Sequence, residues 1–203
     1  MEKVCVQATK GRPREFDVDI ALAAALRVFW KRGYEGASMA ELTAEMGLTK
    51  PSLYGAFGNK ESLFKKALDL YEKEKMAYMG TALNAETSRG VAERLLHGAL
   101  EMQSSTCDPK GCLGVISSVA CSQEAESIRD EVVKRQAASK RALIERFERA
   151  KAEGDLPDSI DAAALARYLT AVMQGLAVQA GSGATCPDLK NIVDTALTVW
   201  PGR

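Results

Sequence analysis

The chain has 203 residues, 46% hydrophobic and 27% charged, with 27 basic and 27 acidic side chains that leave a formal net charge of zero. Enough apolar residues are present for a sizeable core, which excludes a chain too polar to fold, and no run approaches the roughly 18 apolar residues of a membrane span. Through Lys66 there are eleven Lys and Arg against eight Asp and Glu, so the first third is slightly basic and the remainder slightly acidic.

The amino-terminal stretch lacks the apolar core of a secretory signal, and the expected location is the cytoplasm. Apolar periods near 3.6 dominate and no short β-branched run interrupts them, so the predicted fold is all-α, with about nine helices. Residues 1–15 read as a flexible basic arm carrying Lys10, Arg12 and Arg14. A first helix spans 17–32, capped by Asp17, with Leu22, Leu26 and Phe29 on one face and Gly33 at its end. Ser38 and Glu41 then form a predicted capping box. The short helix they open closes at Gly47, suited to the left-handed conformation of a tight turn. Thr49 caps a third helix with Pro51 in its first turn, where a missing N–H does no harm. Asn59 opens a fourth. Beyond position 80, helices are predicted over 88–104, 111–121, 124–153, 159–181 and 187–199, punctuated by Gly154, Pro157, Gly181, Gly183 and Pro187.

The unit from Ser38 to Phe57, two short helices about a glycine turn, has the grammar of a helix-turn-helix, whose second helix enters the major groove. Lys50, Ser52 and Tyr54 are polar groups of that second helix. Ser38, Thr49 and Asn59 each mark a helix start whose N–H groups suit a phosphate, and Lys60 adds a cation at the third. Arg12 and Arg14 could follow a backbone or enter a narrow minor groove. A packing αα-hairpin is the alternative reading of the same unit.

Residues 12 to 71 resemble the DNA-binding domain of TetR/AcrR regulators, through Gly33-Tyr34, Leu42-Thr-Ala-Glu-Met-Gly-Leu48, Ser52-Leu53-Tyr54 and the stretch from Phe57 to Glu61. The resemblance implies a three-helix DNA-binding domain over 16–58 and a helical effector-binding and dimerisation domain over 59–203. It implies a homodimer on a palindromic double-stranded operator, released by a small-molecule effector, with no cofactor. By position it places Lys50, Pro51 and Ser52 in the groove, Tyr54 and Lys60 on phosphates and Ser38 at the backbone. Gly55 and Ala56 depart from the bulkier residues of many relatives, which leaves fewer base contacts at that end.

Leu165, Leu169, Val172 and Leu176, continued by Ile192, Val193, Ala196 and Trp200, read first as core stripes. The resemblance assigns this last helix pair to the dimer interface, and Ala162, Ala166, Gly175, Ala177 and Ala180 would allow close helix approach. Candidate effector lining includes Met76, Met79, Met102, Phe147, Tyr168, Met173 and Gln174, residue types that serve cores as readily as pockets. His97, the only histidine, reads as a surface or satisfied residue.

Five cysteines in an expected cytoplasmic chain argue for free thiols. Cys107, Cys112 and Cys121 form the sharper cluster: Cys112 stands near a predicted helix start with Lys110 close by, a setting that favours the thiolate and hence redox, electrophile or soft-metal sensing. Their spacing matches no standard zinc pattern, and no metal site is expected. The chain offers no Gly-rich phosphate loop, HExxH or Gly-x-Ser-x-Gly, so it reads as no enzyme. A cysteine-based redox enzyme and a purely helical interaction module are the alternatives.

Overall fold

The computed structural model describes residues 16–119 and 122–202; the arm with Arg12 and Arg14, and Cys121, lie outside them. Among the described residues there are ten α-helices, a single 3-10 turn and no strand, as the periodicity predicts. No described helix is long and apolar enough to cross a membrane.

Helix α1 (Val18–Gly36) starts at Asp17, whose carboxylate accepts from the N–H groups of Asp19 and Ile20 at 2.8 and 3.1 Å. Its regular path breaks at Gly33, with φ 70° and ψ 176°. That backbone region belongs essentially to glycine. A Cβ there would also meet Ile116 Cγ2 at 2.9 Å. Gly33→Ala is therefore expected to lower stability by about 1–3 kcal/mol, read from the shift of the denaturant midpoint; an unchanged midpoint would refute the strain.

Helices α2 (Met39–Glu45), α3 (Lys50–Phe57) and α4 (Lys60–Lys75) follow, capped by Ser38, Thr49 and Asn59 as predicted. The capping box is only half formed. Ser38 Oγ accepts from Glu41 N–H at 3.0 Å, but the Glu41 carboxylate turns to Arg32 Nε at 3.1 Å instead of reaching back. An ion-pair partner on α1 outcompetes a neutral N–H for the carboxylate. The two-way box occurs instead at Thr185 and Asp188, where Thr-Cys-Pro-Asp spans the predicted start at 187.

Helix α5 (Ala77–Ala82), absent from the predicted helices, has no side-chain cap. Tertiary packing holds it: the Tyr78 ring lies so close over Gly98 that any Cβ there would collide with it. Helix α6 (Ser88–Ser104) coincides with expectation. The predicted helix over 111–121 shrinks to α7 (Leu113–Ser118). Then come a 3-10 turn (Gln123–Ala125), α8 (Glu126–Ala152), α9 (Ala162–Gly181) and α10 (Cys186–Thr198).

Two apolar clusters result. One joins Phe29, Trp30, Leu42, Leu53, Leu63 and Phe64 of α1 to α4 and draws in Leu113, Ile128 and Val132 from beyond. The other joins α6, α8, α9 and α10 around Leu96, Phe147, Leu169 and Val193.

Candidate nucleic-acid interface and ligand chamber

The turn between α2 and α3 is closed by Leu48 N–H on Thr43 carbonyl at 2.9 Å, with Gly47 at φ 63°, a conformation that costs glycine little. Helix α3 buries Leu53 and Phe57, one turn apart, and leaves Lys50, Pro51, Ser52, Tyr54 and Gly55 exposed. The buried pair fixes the helix on its neighbours, so the opposite face is presented on a rigid support. Thr49 Oγ1 accepts from Ser52 N–H and shares a 2.9 Å hydrogen bond with Ser52 Oγ, which ties the serine hydroxyl to the cap. Tyr54 remains about half exposed, at 49%. At the start of α4, Asn59 Oδ1 accepts from Ser62 N–H at 2.8 Å, and Lys60 Nζ sits 4.6 Å from the centre of the Tyr34 ring. Lys50, Pro51, Ser52 and Tyr54 thus lie on the exposed side of α3, with Thr49 at its start, Ser38 at the start of α2 and Lys60 at the start of α4.

Behind the motif lies a chamber of about 560 Å³ bounded by α4 to α9. This is within the roughly 300–1,000 Å³ typical of small-molecule pockets. Met76, Met79, Met102, Met173 and Gln174 of the candidate lining face it, joined by Cys112. Three other candidates do not. Phe147 is fully buried against the Trp200 ring, centroids 5.6 Å apart, in the second core. Tyr168 faces outward beside Val172 and Ile192, in a furrow between α9 and α10. Cys107 is exposed on the loop after α6.

The helix stripes are spent inside their own chain. Leu165, Leu169, Leu176, Val193, Ala196 and Trp200 are all buried in the second core, because α9 and α10 turn their strongest apolar faces onto α6 and α8. Only Val172 and Ile192 of that set retain partial exposure. The outward face instead carries Tyr168, Gly175, Val178 and Val199.

Lys110 is also placed differently from expectation. Its ammonium donates to the carbonyls of Gln103 and Ser105, both at 2.7 Å, and so closes the carboxyl end of α6. Helix ends leave carbonyls unsatisfied, and a lysine suits them. The partner of the Cys112 thiol is Tyr71, whose hydroxyl lies 3.3 Å from Cys112 Sγ and 3.7 Å from Met102 Sδ.

Tyr71 belongs to a closed circuit that periodicity could not reveal. Its ring meets Trp30 edge to face at 4.8 Å. Trp30 Nε1 donates to Gly111 carbonyl at 3.2 Å, which also accepts from Gln103 Nε2, while Gly111 N–H donates to Gln103 Oε1 at 2.8 Å. Cys112 follows Gly111 in the chain, so the chamber wall, the thiol and α1 are joined through four residues. Farther along α1, Ile116 occupies the notch at Gly33, and Glu35 accepts from Ser122 N–H at 3.0 Å. The segment after Gly111 therefore touches the chamber through Cys112, Gly114 and Val115 and touches α1 through its other face. The sequence supplies the residue types, Trp30, Tyr71, Gln103 and Gly111, but no spacing that pairs them.

Comparison with known proteins agrees with this architecture. The family model for bacterial regulatory proteins of the tetR family matches residues 21–67, and that of the tetracyclin repressor-like C-terminal domain matches residues 93–182. The HTH-type transcriptional repressor ComR of Escherichia coli (strain K12) is 32% identical over 97% of this chain and 95% of its own length. YezE of Bacillus subtilis (strain 168), an uncharacterized HTH-type transcriptional regulator, is 31% identical over 93% of this chain and 98% of its own. Among solved structures, a triple cysteine mutant of the TetR family transcriptional regulator CifR, complexed with 26-bp double-strand operator DNA, superposes with a TM-score of 0.89 at 40% identity. That match covers 94% of this chain and all of the other.

Proposed function

The chain belongs to the TetR family and is a DNA-binding transcriptional regulator; from that premise we propose that it is a homodimeric repressor, held on a palindromic operator and released by a small-molecule or thiol-reactive effector. The single observation that carries the reading is the outer face of α3, where Lys50, Pro51, Ser52 and Tyr54 stand exposed on a helix anchored by Leu53 and Phe57. Lys50, Pro51 and Ser52 reach base edges; Ser38, Thr49, Tyr54 and Lys60 hold phosphates; Arg12 and Arg14 follow the backbone from an arm over 1–15. Residues 16–58 are the reader and 59–203 the effector and dimer portion. The protein acts in the cytoplasm, without catalysing a reaction.

The dimer forms through the outward face of α9 and α10, around Tyr168, Val172, Gly175 and Ile192, because the buried stripe residues are already committed. Two readers at about 34–36 Å then select half-sites one DNA turn apart. Selection of bound sequences from random DNA tests the reading: a two-fold symmetric site is expected, and enrichment of no sequence would overturn it.

The thiol-reactive arm rests on Cys112, which faces the chamber beside Tyr71. Treatment with a maleimide is expected to release operator in a gel shift, and Cys112→Ser to abolish the response. Release that persists in Cys112→Ser would assign the effect to the exposed Cys107 or Cys186, or to another thiol, and remove Cys112 as sensor.

A further inference from the structure

The buried hydroxyl of Tyr71 is held by partners of unequal quality. Tyr71 is 2% exposed. The acceptors for its proton are the sulfurs of Cys112 and Met102, at 3.3 and 3.7 Å. Sulfur is a weak acceptor, so a buried phenol proton resting on two sulfurs is underused and gains by meeting an oxygen.

The remaining walls define what could bring that oxygen. The lining is largely apolar, with thioethers, leucines and the Tyr78 ring; of its uncharged polar side chains, Gln103, Gln136, Ser139 and Thr170 already donate to backbone carbonyls, and Gln174 is the third amide. Arg135, the guanidinium that reaches the lining, already binds three carboxylates, with Asp69 at 2.7 Å and Glu72 and Glu131 at 2.8 Å. That cluster consumes the Glu72 carboxylate too, and the remaining lining charge, Lys140, is exposed. Burial raises the pKa of both Tyr71 and Tyr78 far above the ordinary phenol value, so both stay neutral donors. A charged ligand would lose its hydration with no counter-charge to meet inside. No cluster of three His, Cys, Asp or Glu able to hold a metal ion occurs among the described residues.

We propose that the chamber takes an uncharged, largely apolar molecule of aromatic size bearing one oxygen acceptor, which draws the Tyr71 hydroxyl away from Cys112 and Met102. This rests on the effector reading above and names its ligand class. Because the same ring abuts Trp30 of α1, the exchange of partners is felt where the reader is anchored.

A dimethylaminonaphthyl methyl ketone, its carboxylate counterpart of equal shape and the parent dimethylaminonaphthalene without the ketone are suitable fluorescent probes. The ketone is expected to bind with blue-shifted emission, and the carboxylate about tenfold or more weakly, one factor of ten being 1.4 kcal/mol. Tyr71→Phe is expected to weaken the ketone by about two- to tenfold while leaving the parent hydrocarbon amine unchanged, a contrast that a merely structural role would not produce. Met173→Trp, or Met79→Trp should that chain not fold, is expected to block the ketone by filling the chamber. Carboxylate binding equal to the ketone, equal losses for both neutral probes in Tyr71→Phe, or ketone binding undisturbed by the filled chamber would each overturn the proposal. Absence of ketone binding by a protein that still binds its operator sinks this inference alone; ketone binding by a protein that binds no DNA sinks the regulator reading instead.

Discussion

Lys50→Ala is expected to weaken operator binding by about 30-fold or more while leaving the unfolding midpoint unchanged. Lysine or arginine on a base edge or phosphate contributes about 1–3 kcal/mol, and a dimer carries two copies, so the losses combine. Lys50 is exposed at the first turn of α3, and substitutions at such surface positions stay within about 0.5 kcal/mol of neutral for folding. The salt dependence discriminates its role. If Lys50 neutralises a phosphate, the slope of affinity against salt falls by about one per subunit; if it reads a base, selectivity relaxes at one position of each half-site. Titration of labelled operator at several salt concentrations reads both, and unchanged affinity would refute the groove assignment. Leu53→Ala offers the contrast, since a side chain with no exposure would cost folding and binding together.

Trp30→Ala is expected to cost about 3–5 kcal/mol, a large part of the roughly 5–15 kcal/mol that stabilises a typical protein. Trp30 is 1% exposed, stacks edge-on to Tyr71 and donates to Gly111. Removing it opens a cavity between α1, α4 and the loop before α7, and guanidinium unfolding reads the loss. Trp30→Phe separates packing from signalling. It keeps a ring against Tyr71 but deletes the N–H, while Gly111 carbonyl retains Gln103 as a donor. Operator affinity without ligand is expected to stay near that of the parent. The change in affinity caused by a chamber ligand, a coupling of about 1–3 kcal/mol in ordinary allosteric proteins, is expected to shrink. Full coupling in Trp30→Phe would show that the signal reaches the reader by another path, such as Glu35 with Ser122 or Ile116 in the Gly33 notch.

The reader was legible because its structure is local. Ser38, Gly47, Thr49, Pro51 and Asn59 each act within one helical turn, and a cap or a positive φ is written in a few adjacent residues. Even there the Glu41 carboxylate went to Arg32, since a competing partner on another helix is invisible to a spacing rule. The helices beyond α4 were less legible. Methionines at helical spacing announced apolar faces, and Met102, Met173 and Gln174 do reach the chamber, but Phe147 and Tyr168 carry the same signature and face elsewhere. Periodicity says that a residue has a buried side without saying whether the space beyond it is filled.

By itself, then, the sequence determined the helical class and the helix-turn-helix with its polar outer face, because these depend on hydrogen bonds and apolar repeats within one or two turns. Only the tertiary structure decided that the stripe from Leu165 to Trp200 closes its own chain's core, that Lys110 caps α6 instead of attending Cys112, and that α5 exists at all. It alone brought Trp30, Tyr71, Gly111 and Cys112 into one circuit. Those contacts join positions 41 or 81 residues apart, and which partner wins there is settled by burial and competition among helices, quantities that no local pattern records.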